Sequence, residues 1–396
     1  MSRRFPGGVA IVGYAQSQIK RHAERPLGVL AVDTARAAIA DAGLTVAQVD
    51  GFVSAALFPT AGDHANTDGV TSVSSAWLAA RLGADPAYVA GFQGMGQIPG
   101  SLAIAANAIV SGAADYVVFH RALHNPTGRY HGTARREFGG PEQWSAPSGL
   151  FGPVSAIALT CNEYMQRFGA TSESLGHVCV EARKNGARLP WSPWHQRPLA
   201  LDDYLAAPPI VAPIRRLDCD LPVDGVAVFV LTSAERARDL PHRPVHVAGY
   251  ALSPPARGRL PLHWPLDDVL ETGRGVATRL WEHAGLSLAD VDLPQVYDGF
   301  SPFVWFWLEV LGLAPPGEAH RLVTAGGIDS DAPGAIPALS GGGALGNGRM
   351  HGVPQMLECY LQLSRRAGAR QREASVAVAC HGSPHLGGAV AYTTTP

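Results

Sequence analysis

Charged residues are scarce in this 396-residue chain, at 16%, and they nearly balance, for a formal net charge of -2. A protein that neutralises phosphate backbones needs a basic surface, so nucleic acid is not an expected partner. Only five cysteines occur, at 161, 179, 219, 359 and 380, and no two form a Cys-x-x-Cys pair. That spacing speaks against a zinc site or a redox dithiol within the chain. Cys161, Cys179 and Cys359 fall in helix-like stretches and read as small core residues. No long uninterrupted apolar run appears either. Phe303–Leu311 is too short to span a bilayer and carries Glu309. Met1–Pro6 leads straight into a strand-like segment without an apolar leader, so a cytoplasmic location is expected. Neither Gly-x-x-x-x-Gly-Lys-Ser/Thr nor a strand-linked Gly-x-Gly-x-x-Gly occurs, which leaves nucleotide hydrolysis and nicotinamide chemistry without support.

What is present is apolar material, 46% of the residues, in a chain long enough for two fused domains. The order of that material repeats. Val9–Ala15 (VAIVGYA) is matched by Val245–Ala251 (VHVAGYA), and each reads as a buried strand ending in a glycine turn. Ala42–Asp50 (AGLTVAQVD) is matched by Ala284–Asp292 (AGLSLADVD). Each follows an amphipathic helix, over 28–42 and 267–284, that the glycine caps. Each half also closes on a glycine-led strand, Asp224–Thr232 and Gly387–Thr393. The pattern predicts two similar α/β units, 1–238 and 239–396. The first carries an insertion over about 120–210, rich in Gly, Pro, Arg, His and Trp, expected to cover the mouth of a site.

In this order the pieces resemble the thiolase superfamily over nearly the whole chain. Leu102–Phe119 resembles the buried helix and strand behind the thiolase nucleophile. Leu217–Ala237 resembles the close of the first half, and Gly341–Gly352 the glycine loop that carries the thiolase histidine. Ala367–Gln371 and Val376–Gly382 resemble the approach to the second catalytic cysteine. Gln295–Phe303 (QVYDGFSPF) singles out the lipid-transfer or sterol-carrier-type branch, and within it the steroid side-chain aldolases. The resemblance implies a five-layer αβαβα thiolase fold and retro-aldol cleavage of a β-hydroxyacyl-CoA bearing a bulky apolar or steroid group. It also implies a homodimer that joins a small zinc-ribbon and OB-fold partner in a heterotetramer. No cofactor and no metal are expected; acyl-CoA is the substrate.

The matched positions depart from a working thiolase. A thiolase needs a thiolate at the N-terminal end of the buried helix. That stretch is here Gly91–Gly100 (GFQGMGQIPG), with neither cysteine nor serine. Met95 takes the nucleophile's place between Gly94 and Gly96, and a thioether cannot form an acyl-enzyme. The glycines still allow a substrate close to the backbone. The Gly-His-Pro of thiolases matches Gly348-Arg349-Met350, with His351 following. Arg349 can hold an enolate oxygen or serve a structural salt bridge; His351 can face the site or turn away. Cys380 matches the proton-exchanging cysteine, or is simply a buried strand-end residue. His381 is the better acid/base candidate and His385 the weaker; their spacing suits a metal pair, but no acidic partner stands nearby.

Tyr297 ends the strand after Asp292, where α/β sites form. It matches one tyrosine assigned to catalysis in the steroid aldolases, and with a lowered pKa it suits either base or acid; a core aromatic is the plain alternative. The second such tyrosine has no counterpart, its loop offering Asn347. Asp298 is expected to cap a helix starting near Ser301. Phe300, Gly342 and Gly343 are assigned to substrate contact. Arg121, Arg129, Arg135 and Arg136 are assigned to CoA phosphates, or to an ordinary solvated loop. A thiolase-like acyltransferase and a non-catalytic acyl-CoA-binding subunit stand as alternatives to the lyase.

Overall fold

The computed structural model describes residues 4–55, 70, 72–92, 97–124, 137–140, 142–254 and 264–396. Its strands are β1 (Val9–Gln16), β2 (Gly51–Ser54), β3 (Tyr88–Gly91), β4 (Tyr116–Leu123), β5 (Pro209–Val211), β6 (Ile214–Arg215), β7 (Gly225–Ser233), β8 (Val245–Leu252), β9 (Leu293–Gln295), β10 (Val376–His381) and β11 (Gly388–Thr393). The helices are α1 (Leu27–Asp41), α2 (Ser75–Leu82), α3 (Gln97–Val110), α4 (Glu142–Ser145), α5 (Gly152–Phe168), α6 (Ser172–Gly186), α7 (Leu201–Ala206), α8 (Leu266–Ala284), α9 (Pro302–Leu311), α10 (Ala319–Thr324), α11 (Gly343–Asn347) and α12 (Val353–Leu363).

Nine strands form one sheet in the order β3-β2-β4-β7-β1-β8-β11-β10-β9, with β5 and β6 apart as a hairpin. The two copies meet where β1 and β8 run antiparallel through Ala10 with His246 and Ile11 with Val245. Outward from that seam, β1-β7-β4-β2 on one side answers β8-β11-β10-β9 on the other.

The repeated residues do the same physical work in each copy. Gly13 and Gly249 lie inside β1 and β8 rather than in turns at their ends. A Cβ on Gly13 would come within 2.6 Å of the Ala42 Cβ, and one on Gly249 within 2.9 Å of the Ala284 Cβ. Each glycine therefore lets the end of the following helix cross its strand at close range. Asp50 accepts hydrogen bonds from the backbone N–H of Asp115 (2.9 Å) and Tyr116 (2.8 Å), at the start of β4. Asp292 accepts from Ser375 (2.8 Å) and Val376 (3.0 Å), at the start of β10. The repeated spacing between helix, aspartate and next strand is thus a pair of matching backbone clamps.

The buried apolar residues form three cores. One lies between α1, α2 and the outer face of the first-half strands. The middle core holds α3 and α12 against strands of both halves, among them Ile11, Phe119, Phe229, Val247, Ala379 and Tyr392. The third packs α8 and α9 on the second half. Alternation along β10 sends Ala377 and Ala379 to the middle core and Val378 and Cys380 to the third. Helix α9 is buried on every side, Trp305 and Trp307 included.

The expected insertion over about 120–210 carries regular structure of its own. β4 continues to Leu123, so Arg121 is a strand residue. Farther on, α5 and α6 bury Ile157, Tyr164, Val178 and Ala182 in the third core. No described helix is long and apolar enough to cross a membrane.

Candidate functional site

Two residues beyond β9 stands Tyr297, its ring folded over Gly299. A Cβ on Gly299 would lie 2.6 Å from Cε1 and Cζ of the phenol and nearer still to its oxygen. The ring stacks on Phe303 (centroids 6.1 Å apart, planes 26° from parallel), at the start of α9. The hydroxyl makes no hydrogen bond to a described residue, although charges surround it. Burial, the largest influence, pushes the phenol well above its ordinary value; Asp220 and Asp298 add to that, while Arg349 and Arg121 oppose it. The sequence reading allowed a lowered pKa; the structure gives a phenol that holds its proton at neutral pH, which suits a donor.

Arg121 reaches the same place from β4 and is 1% exposed. One guanidinium nitrogen donates to the Ala55 carbonyl and another to Nδ1 of His351. Burial lowers its pKa to about 9, with Tyr297 raising it and Arg349 lowering it, so it remains a cation at neutral pH. The assignment of Arg121 to CoA phosphates on a surface loop is therefore corrected: a strand directs it inward, beside Tyr297 and Arg349. His351 is half-buried with φ 52°. The backbone N–H of Arg349 donates to the Leu221 carbonyl at 2.8 Å.

Asp298 does not cap the helix at Ser301. Its buried carboxylate accepts from the N–H of Ala344 (2.5 Å) and Leu345 (3.0 Å) and from Gln355 Nε2 (2.9 Å). It therefore closes the N-terminus of α11, and burial raises its pKa to about 7 against those bonds. Gly343 follows from this arrangement, since a Cβ there would come within 2.5 Å of the Asp298 Cγ. Asn347 is committed to the same loop. Its Nδ2 donates to Gly341 and Gly343 carbonyls, both at 2.8 Å, and its Oδ1 accepts from Trp191 Nε1 at 3.1 Å. Gly342, at φ 78°, packs on Gly186 of α6. These residues shape the loop and leave the amide of Asn347 no spare group for an oxyanion.

His381, at the end of β10, is 1% exposed, and neither ring nitrogen finds a hydrogen-bond partner among the described residues. Its Nδ1 lies where Gly352, at φ 97°, would carry a Cβ. Burial lowers its pKa to about 3, the Gly352 backbone opposing, so the ring is neutral. Cys380 belongs instead to the third core, and burial pushes its thiol well above the ordinary value. His385 pairs Nδ1 with Ser383 Oγ (2.7 Å) and packs edge-on against Trp264. Phe300 is buried against Phe303. Gly94, Met95, Gly96, Arg129, Arg135 and Arg136 lie outside the described residues. Among the described residues no group of three or more His, Cys, Asp or Glu could hold a metal.

The structure thus gathers Tyr297, Arg121, Arg349 and His351, with His381 against the adjoining Gly352. It leaves Cys380 in the core and Asn347 in the loop. Sequence reasoning missed Asp220 beside Tyr297 and the clamp from Asp298 to α11, which spans 46 residues of chain. Gly299, two residues after the tyrosine, was the local signal for the folded-over ring.

Residues 267–395 match a family model described as Thiolase C-terminal domain-like. The chain is 33% identical, over 90% of its length and 92% of the relative's, to 17-hydroxy-3-oxo-4-pregnene-20-carboxyl-CoA lyase of Mycobacterium tuberculosis. It is 32% identical to a steroid side-chain-cleaving aldolase of Thermomonospora curvata, over 89% and 90% of the two chains. Among solved structures, an Ltp2-ChsH2(DUF35) aldolase superposes with TM-score 0.84 at 28% identity, covering 98% of each chain. Human mitochondrial 3-ketoacyl-CoA thiolase in complex with CoA shares the fold, at TM-score 0.67 and 14% identity.

Proposed function

Since the chain belongs to the thiolase superfamily, among its steroid side-chain-cleaving aldolases, we propose that it breaks the bond between Cα and Cβ of a β-hydroxyacyl-CoA whose β-carbon sits in a bulky, steroid-like ring. One observation carries this reading: a buried tyrosine that keeps its proton feels the positive charge of Arg349 and Arg121, and Gly91–Gly100 contains no nucleophilic thiol or hydroxyl. Such a site favours an enolate and offers no acyl-enzyme route.

In the reaction, the β-hydroxyl gives its proton to a base as its oxygen becomes a ketone. The Cα–Cβ electron pair moves into the thioester as an enolate, and Cα then takes a proton. His381, neutral and with no ring-nitrogen hydrogen bond among the described residues, serves as the base. Tyr297 delivers its proton to Cα, and the proton on His381 returns to the phenolate through solvent. Arg349 and Arg121 supply positive field at the enolate. The positive field of the two guanidinium groups meets the enolate's negative charge, and no outside reagent is consumed.

The similarity to the Ltp2-ChsH2(DUF35) aldolase supports an assembly with a second subunit. We read that subunit as the small zinc-ribbon and OB-fold protein, bound to a homodimer of this chain. The test is incubation of the purified chain, alone and co-expressed with such a partner, with β-hydroxyacyl-CoA steroids. Ketone and shorter acyl-CoA in equal amounts support the lyase. Label retained on protein as an acyl group points to the acyltransferase, and binding without turnover to a carrier subunit.

A further inference from the structure

The turn between Gly348 and Gly352 is tightly constrained around a half-buried imidazole. Gly348 has φ 89° and Gly352 φ 97°. Arg349 is tied to Leu221 through its N–H, and the Met350 side chain is buried. Between them His351, a residue with a Cβ, is held at φ 52°. Left-handed backbone is uncommon for a residue other than glycine and persists only where the surroundings hold it. The strain places the imidazole where a buried guanidinium meets its Nδ1.

That contact determines which nitrogen carries the proton. A guanidinium has donors and no acceptor, so Nδ1 of His351 must present its lone pair to Arg121. The single proton of the neutral ring is then on Nε2. With Nδ1 accepting from Arg121, that nitrogen carries no proton, and the ring is neutral. The ring is half-buried, so it is not sealed inside the protein. Arg121 itself is coupled electrically to Tyr297 and Arg349, which places His351 at the edge of the reacting cluster.

We infer that His351 is a further catalytic residue, whose neutral Nε2–H donates a hydrogen bond to the thioester oxygen as it becomes an enolate. Arg121 is the positioning residue that sets the tautomer. The inference rests on the lyase reading and adds to it an oxyanion donor two residues past the arginine that the sequence aligns with the thiolase histidine. No proton leaves His351 in the cycle. The donor strengthens as charge builds on the oxygen and relaxes when Cα is protonated.

The experiment pairs kinetics with a direct reading of the ring. For wild type cleaving a β-hydroxyacyl-CoA steroid, His351→Leu should lower kcat by about 10²- to 10³-fold, the effect of losing one oxyanion donor, with KM changed only a few-fold. His351→Gln, which keeps a side-chain N–H, should recover part of that loss. Nitrogen NMR on histidine-labelled protein, with His351 identified as the resonance absent from the His351→Gln variant, should show a neutral Nε2–H tautomer. In Arg121→Met the same resonance should become a tautomer mixture. Two results overturn the proposal while leaving the lyase in place: unchanged kcat in His351→Leu, or an Nδ1–H tautomer in wild type. A wild type that cleaves no such thioester removes the lyase reading, and this role with it.

Discussion

Gly299→Ala tests whether the placement of the Tyr297 phenol limits the reaction. The new methyl would sit 2.6 Å from Cε1 and Cζ of the ring. Restoring a contact of about 3.5 Å requires the ring to shift by about 0.9 Å. The backbone of Gly299 is outside the left-handed region, so alanine itself adds no conformational strain. The ring is stacked on Phe303 and cannot simply settle deeper. A displacement near 1 Å in a reacting group costs on the order of 10²-fold in rate, and overpacking here should cost about 1–3 kcal/mol of stability. Steady-state release of ketone, with circular dichroism and a thermal melt as folding controls, would show kcat/KM down about 100-fold with the fold retained. The decisive comparison is Gly299→Ala in a Tyr297→Phe background. If the methyl acts through the hydroxyl, the double variant should be little worse than Tyr297→Phe alone. An equal further loss in that background, or full activity in the single variant, refutes the argument.

Tyr297→Phe should reduce kcat by at least about 10²-fold, the loss of one donor to developing charge; wild-type turnover would remove the residue from the reaction. Because burial raises the phenol pKa, the rate should show no tenfold-per-unit rise from phenolate formation between about pH 7 and pH 9, and such a rise in a kcat/KM profile would make the tyrosine a base. Cys380→Ala should lower stability by about 1 kcal/mol and leave kcat within a few-fold, since the thiol belongs to the third core; a hundredfold fall would return it to proton transfer. Gly13→Ala and Gly249→Ala should each destabilise by about 1–3 kcal/mol, as both methyls would strike the end of the neighbouring helix. A melt in which one of the two is neutral would break the equivalence of the copies.

The fold was legible because duplication writes the same constraint twice. Glycine, helix end and aspartate recur at matching places, and each recurrence answers to a contact: Gly13 and Gly249 to a crossing helix, Asp50 and Asp292 to a strand start. The reading of those glycines as turns failed because a turn and a close approach demand the same small residue. The site was legible only in part. Tyr297 and Arg349 could be found from their motifs. The role of Arg121 was hidden, because composition placed it in a loop while strand pairing with Ala227 carries it inward. Asp298 looked like a local helix cap because its actual partners, the N–H groups of Ala344 and Leu345, lie far along the chain. A carboxylate has no sequence mark that distinguishes a near cap from a distant one.

The middle layer has a consequence for the two copies as separate objects. Helix α3 comes from one and α12 from the other, and each is wrapped by strands of both. Cut apart between the copies, either fragment would hold a greasy rod with half its sheath missing. The candidate site is divided the same way, with the Arg121 guanidinium from one parent and Tyr297, Arg349 and the imidazoles from the other. Marriage of the copies is therefore a condition of solubility first and of chemistry second, so selection could let the two sets of strand ends drift to different tasks without loosening the join between them.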